Sequence, residues 1–246
     1  MQCKSASSTN TDAYRAGAEI GKTLCEVAPE AILLFASITY EEDFGVFFEG
    51  LYDELGTTDL IIFGGTGDGI YETDRIADYG VSALGINTGG KVSWSVACEA
   101  GTQADSFTSA RNCALKINNP DIGFAFVLAD GISADGTKIV DGIESVLSIP
   151  FWGGLTGDDR NFTRSRIFLN GQILQDSVAI LAADKNIVHT VSASSGWTPS
   201  GTTGRVEDAQ GNTVFRISGQ SAQEFVKEQL GKPFGEEAIL RLGHAY

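Results

Sequence analysis

The chain has 246 residues, 42% of them hydrophobic and 20% charged, which is enough to bury a sizeable core and too apolar for a disordered segment. Seventeen Lys and Arg stand against 32 Asp and Glu, a formal net charge of −15; a surface of that sign repels phosphate backbones and anionic headgroups and excludes nucleic acid and membrane insertion from the expected partners. Four cysteines, Cys3, Cys25, Cys98 and Cys113, show no CxxC spacing, so a small disulfide scaffold is excluded and free thiols are expected.

Asp12–Ala28 reads as an amphipathic helix, with Ala13, Ala16, Ile20, Leu24 and Val27 at spacings of three and four, and Pro29 ends it. Ala31–Ser37 is a continuous apolar run of strand length, as expected of a strand covered on both faces. Helical spacing returns over Glu41–Leu55 through Phe44, Phe47, Phe48 and Leu51, with Gly56 as the stop. Asp59–Phe63 is a second buried strand leading into GGTGDG. Strands Val81–Asn87 and Lys91–Cys98 follow, joined by a Thr-Gly-Gly turn.

The series then repeats. Ala104–Ile117 is a helix closed by Asn-Asn-Pro, Ile122–Ala129 a buried strand, and Lys138–Leu147 a helix. Pro150–Trp152 opens a strand into GGLTGDD, and strands Ser165–Leu169 and Ser177–Ala183 lie around an Asn-Gly turn. Pro120 follows Pro29 by 91 positions and Gly153 follows Gly64 by 89, an agreement that points to a duplicated unit. The expected fold class is α/β with mixed sheets: two pseudo-repeated α-β-α-β-β-β halves, about 12–100 and 104–184. An extension over 187–231 adds strands Ile187–Ala193 and Asn212–Ser218 and a helix over Ser221–Leu230.

The candidate site is the pair of glycine turns. Gly64, Gly65, Thr66, Gly67 and Asp68 form one; Gly153, Gly154, Thr156, Gly157, Asp158 and Asp159 form the other. Both follow the second strand of their half, where open α/β sheets bind ligands because loops diverge there. Glycines let backbone N–H groups approach a ligand, and Thr and Asp add oriented polar contacts. If the halves fold against each other, the two turns share a cavity. Trp152 directly precedes the second turn and is expected to wall a pocket, or to pack in the core; Trp197, in SGWTPSG, is a large aromatic in loop-like sequence that covers something.

Other chemistries lack their residues. A GxGxxG fingerprint needs glycine where Ile70 stands, and GxxxxGK[ST] is absent. Asp68, Asp158 and Asp159 lack the carboxylate ladder of an EF-hand, and carboxylates in turns more often bond their own backbone. The histidines are His189 and His244 alone, and GxSxG does not occur, so neither a multi-histidine metal site nor a hydrolase elbow is indicated. No cofactor, metal or catalytic residue is expected. The N-terminus lacks the apolar stretch of a signal peptide, no run nears the ~18 apolar residues of a spanning helix, and a cytoplasmic chain is expected.

Five segments in order, Leu33–Ser37 (LLFAS), GGTGDG, Ile149–Asp159 (IPFWGGLTGDD), Phe168–Asp184 (FLNGQILQDSVAILAAD) and Ser195–Gly201 (SGWTPSG), resemble the FIST family, specifically its N-terminal sensory domain. The resemblance runs from about Asp12 to Gly231. It implies an intracellular signal-transduction domain that binds small ligands such as amino acids and works with a signalling output domain or partner protein. Family members usually continue into a C-terminal FIST domain, so 232–246 is expected to be a tail or the start of that domain. Ser218 stands where the family often has an acidic residue, and no role of that carboxylate carries over. Some relatives bind haem, for which this chain offers only His189 and His244. The expected function is a non-catalytic sensor binding a small polar metabolite between the halves. A structural interaction module is the alternative, followed by a hydrolase working through the turn residues.

Overall fold

The computed structural model describes residues 1–73, 75–192, 202–210 and 213–230. The chain divides into two compact units, Met1–Val188 and His189–Tyr246.

The first unit opens with a strand absent from the sequence reading, β1 (Gln2–Ser8), followed by α1 (Ala13–Leu24). Asp12 caps α1 by accepting from the Arg15 N–H at 2.9 Å. Ala13, Ala16, Ile20 and Leu24 are buried along one face of α1, as the spacing predicts. The helix stops at Leu24 and a single 3-10 turn over Cys25–Val27 carries the chain to Ala28, a left-handed residue ahead of Pro29. Next come β2 (Ala31–Ala36), a 3-10 turn over Ile38–Asp43, α2 (Phe44–Leu55) and β3 (Ile61–Thr66). A small hairpin, β4 (Ile70–Glu72) and β5 (Arg75–Ala77), precedes β6 (Val81–Asn87).

The chain continues through β7 (Trp94–Ala100), α3 (Thr102–Ile117), β8 (Ile122–Ala129), α4 (Gly136–Glu144) and β9 (Phe151–Leu155). It closes with β10 (Ile167–Leu169), β11 (Gln172–Leu174) and β12 (Ser177–Asp184). One sheet has the order β1-β6-β2-β3-β10-β11, the other β7-β12-β8-β9. Both are mixed. The β2–β3 and β8–β9 pairs, each joined through a helix, are parallel; all other pairs are antiparallel.

Four layers result. Ile20, Leu24, Phe44, Phe47 and Leu51 of α1 and α2 bury against Ile32, Leu34 and Ile62 of the first sheet. Cys113, Ile139 and Ile143 of α3 and α4 do the same with Val127 and Ile180 of the second. Between the sheets lie Phe63, Ile167 and Leu169 from one and Leu128, Ala179 and Leu181 from the other. Strands covered on both faces read as unbroken apolar runs, which is why Ala31–Ala36 and Ile122–Ala129 stand out in the sequence.

Two expected hairpins are not formed. β6 and β7 lie in different sheets because the Thr88–Gly90 link is tied back to the entry of β2. The Glu30 carboxylate accepts from the Thr88 N–H at 3.0 Å, the Thr88 hydroxyl at 2.5 Å and the Gly90 N–H at 2.6 Å. The Asn170-Gly171 turn is present, both residues at positive φ, but it joins β10 to the short β11. Ser177 then opens a strand of the other sheet, pairing with β7 and β8. Pairing across sheets depends on which edge is free, and local periodicity carries no record of that.

The second unit contains a three-stranded antiparallel sheet, β13 (Val206–Gln210), β14 (Thr213–Ile217) and β15 (Gln220–Ser221), followed by α5 (Ala222–Leu230). The strand expected over Ile187–Ala193 is not formed across 187–192; two turn residues, Lys185 and Asn186, follow β12, and the Asp184 carboxylate accepts from the Asn186 N–H at 2.9 Å.

Candidate functional site

Much of what reads as turn is strand. Gly64, Gly65 and Thr66 complete β3, and Gly153 and Gly154 belong to β9. The reason lies in the close approach of each parallel pair. A Cβ on Gly64 would sit 1.6 Å from the Leu34 carbonyl oxygen, and one on Gly153 would sit 1.7 Å from that of Val127. Glycine is required there by space, at equivalent places in the two sheets.

Beyond the strands the two loops meet. The Gly157 N–H donates to the Thr66 carbonyl at 2.9 Å, and the Thr66 hydroxyl donates to the Gly157 carbonyl at 2.6 Å. The Asp68 carboxylate lies against Gly157, and the Thr156 methyl packs over Gly65. Thr66, Gly67 and Asp68 are thus brought together with Thr156, Gly157, Asp158 and Asp159. Hydrogen-bonded backbone and the Thr156 side chain over Gly65 hold the two loops in direct contact.

The polar side chains divide into two kinds. Thr66, Thr156 and Asp158 are buried and hold structure. Asp158 accepts from the N–H groups of Phe162, Thr163 and Arg164 at 2.8, 2.7 and 3.0 Å. Burial pushes its carboxyl up, but those three donors and the Thr163 hydroxyl outweigh it and hold it below the ordinary value. Thr156 bonds Ser165 at 2.8 Å, and Ser165 donates to the buried Asp130 at 2.8 Å.

Asp68 and Asp159 face outward: Asp68 is exposed and Asp159 half-buried. Asp159 sits in a left-handed conformation at φ 56° and accepts from the Ser37 hydroxyl at 2.8 Å. Burial raises its carboxyl, the negative charges of Asp68 and Asp158 raise it further, and the Ser37 hydrogen bond only partly offsets them. The carboxyl ends of β2, β3 and β9 therefore converge on an acidic spot with a hydroxyl at its base. Glu41 is ion-paired to Arg166 and, at 2.5 Å, to Arg164, tying the 3-10 turn before α2 to the loop that follows β9.

Trp152, Gly153 and Gly154 lie apart from that contact. They line a groove of about 590 Å³ between β9 and α4, together with Val127, Ile139, Val140 and Leu155. No residue of the first loop lines it. Trp152 is half-buried, its ring stacked on Phe124 at 4.8 Å and edge-on to Phe126 at 6.0 Å. Trp197 and His244 fall outside the described residues, and His189 belongs to the second unit. Sequence reasoning missed Ser37, Glu41, Arg164 and Arg166. Ser37 alone carried a signal, as the polar residue closing an apolar strand. Among the described residues no helix is long and apolar enough to cross a membrane.

A family model, the FIST N domain, matches residues 30–220, well over half of the chain. No curated protein matches the sequence. Among solved structures, the crystal structure of cyanuric acid hydrolase from A. caulinodans is similar to 74% of this chain with 7% sequence identity and a TM-score of 0.35, and the chain spans 66% of that structure's length. A likeness of this size says nothing of activity. Taken with the mixed α/β fold on which those residues lie, the family match places the chain in the FIST family as an N domain, a sensory domain of signal transduction.

Proposed function

We propose that this domain is a cytoplasmic receptor, not an enzyme, for a small polar metabolite of the amino-acid kind, bound where the loops after β3 and β9 meet. The observation that carries the reading is the carboxyl pair Asp68 and Asp159, one from the loop after each sheet's strand, in which the charge of Asp68 raises the Asp159 carboxyl beside the Ser37 hydroxyl. An ammonium group placed between them relieves their repulsion, and the hydroxyl and loop N–H groups offer further contacts. Because each carboxylate rides on a different sheet, a ligand touching both favours one arrangement of the junction. A sensor needs that differential affinity to shift its equilibrium toward the signalling state. Ser37 is bonded directly to a carboxylate and to Thr39, an arrangement that positions a ligand rather than activating a nucleophile.

The test is thermal unfolding against the common amino acids and small amines at millimolar concentration. A cognate ligand at a hundred times its Kd stabilises by about 2.7 kcal/mol, an upward Tm shift of roughly 5–11 °C for a unit of this size. Asp68→Asn and Asp159→Asn should each abolish the shift while leaving the ligand-free Tm unchanged or slightly higher. No shift with any compound of the panel, or an undiminished shift in both variants, refutes the reading.

A further inference from the structure

The two sheets are built to one order, β1-β6-β2-β3 and β7-β12-β8-β9, and differ at one edge. Outside β3 lies β10, antiparallel, with Phe168 opposite Gly64. Phe168 is fully buried and fills the space between β3 and α2, its ring centroid 4.7 Å from that of Phe44 and 5.6 Å from that of Phe48. Outside β9, among the described residues, no strand is paired. Gly153, Gly154 and Leu155 are exposed there, and the equivalent space, between β9 and α4, is the apolar groove of about 590 Å³. An open edge above an apolar groove is a template for strand addition: backbone hydrogen bonds supply affinity and the groove reads the side chain.

We propose that β9 takes up one antiparallel strand of a partner polypeptide, with a bulky apolar residue opposite Gly153 and a basic residue soon after it. The apolar residue follows from Phe168, which does the same at Gly64. The basic residue follows from charge. Among the described residues Glu144 is the one charged residue lining the groove, which also includes Ile149 and Pro150 where the chain enters β9, and an antiparallel strand brings its later residues to that end. The chain's net charge of −15 draws a cationic segment in the same sense. This surface is separate from the Asp68–Asp159 pair, so it holds or fails independently of the proposed ligand.

The probe is a synthetic peptide with the sequence of residues 164–170 and one lysine added at its end, fluorescently labelled and titrated into the full chain. Saturable binding is expected, weakened at least tenfold when the phenylalanine of the peptide is alanine. Val140→Lys, at an exposed position of α4 in the groove, should weaken it to the same degree, and Glu144→Lys by a smaller factor that shrinks at high salt. Amide resonances of 151–155 should shift on binding. Absence of binding at millimolar peptide, equal binding by the Val140→Lys chain, or shifts confined to β3 from displacement of its own hairpin would overturn the proposal. Self-association of the chain abolished by Val140→Lys would assign the groove to a second copy and overturn it as well.

Discussion

Gly153 and Gly154 are adjacent and identical in the sequence, and alanine should separate them sharply. At Gly153 the added methyl carbon would lie 1.7 Å from the Val127 carbonyl oxygen and 2.9 Å from its nitrogen; at Gly154 nothing lies within 4 Å. Relieving the first clash needs roughly 1.5 Å of strand separation to reach van der Waals contact. That movement costs about 1–3 kcal/mol as overpacking and weakens one or two β8–β9 hydrogen bonds at about 1 kcal/mol each. We expect Gly153→Ala to lose about 3–4 kcal/mol, a fall in Tm of roughly 6–16 °C. Gly154→Ala, free of contact and of positive φ, should be neutral or stabilising by up to about 1 kcal/mol, through the smaller entropy of its unfolded chain. Urea unfolding with unchanged m-values, alongside thermal melts, reads both. Equal damage from the two variants, or a Gly153→Ala chain melting within about 2 °C of the parent, refutes the close-approach argument. The equivalent change at Gly64 should be worse, since β3 is held between β2 and β10 and has no free side to move toward.

Two further outcomes follow from buried groups. Asp158→Asn removes charge from an acceptor of three loop N–H groups and should cost about 2 kcal/mol at pH 7. Because the folded carboxyl is held below its ordinary value, its contribution is complete above the unfolded pKa of about 3.9 and is lost as the pH falls through the lower folded value. Urea midpoints of the two chains should therefore converge below about pH 4; a gap that persists unchanged there contradicts the assignment. Cys3 and Cys25 are exposed while Cys113 is buried, and burial pushes the Cys113 thiol up to about 12. At pH 8 an aromatic disulfide reagent should titrate the two exposed thiols promptly and Cys113 only after denaturation. Prompt modification of Cys113, followed by peptide mapping, would show the α3 face to be open.

The residues themselves determined the elements. Apolar runs such as Ala31–Ala36 had to be strands covered on both faces. The spacing of Ala16, Ile20 and Leu24 had to be a helix, while the glycine pairs read as ligand-facing turns proved to be strand residues, Gly64 and Gly153 facing a neighbouring backbone. The elements are readable because burial periodicity acts on neighbours in the chain. What the tertiary structure alone decided was partnership. It sent β7 and β12 to one sheet and β10–β11 to the other, revealed β1 as an edge strand with too little apolar signal to be read, and set Ser37 and Asp68 against Asp159 from more than 90 positions away. It also joined the two glycine loops through hydrogen bonds and left the groove between β9 and α4. Such choices are made by free strand edges and the filling of space between layers, and those exist only once the chain is folded.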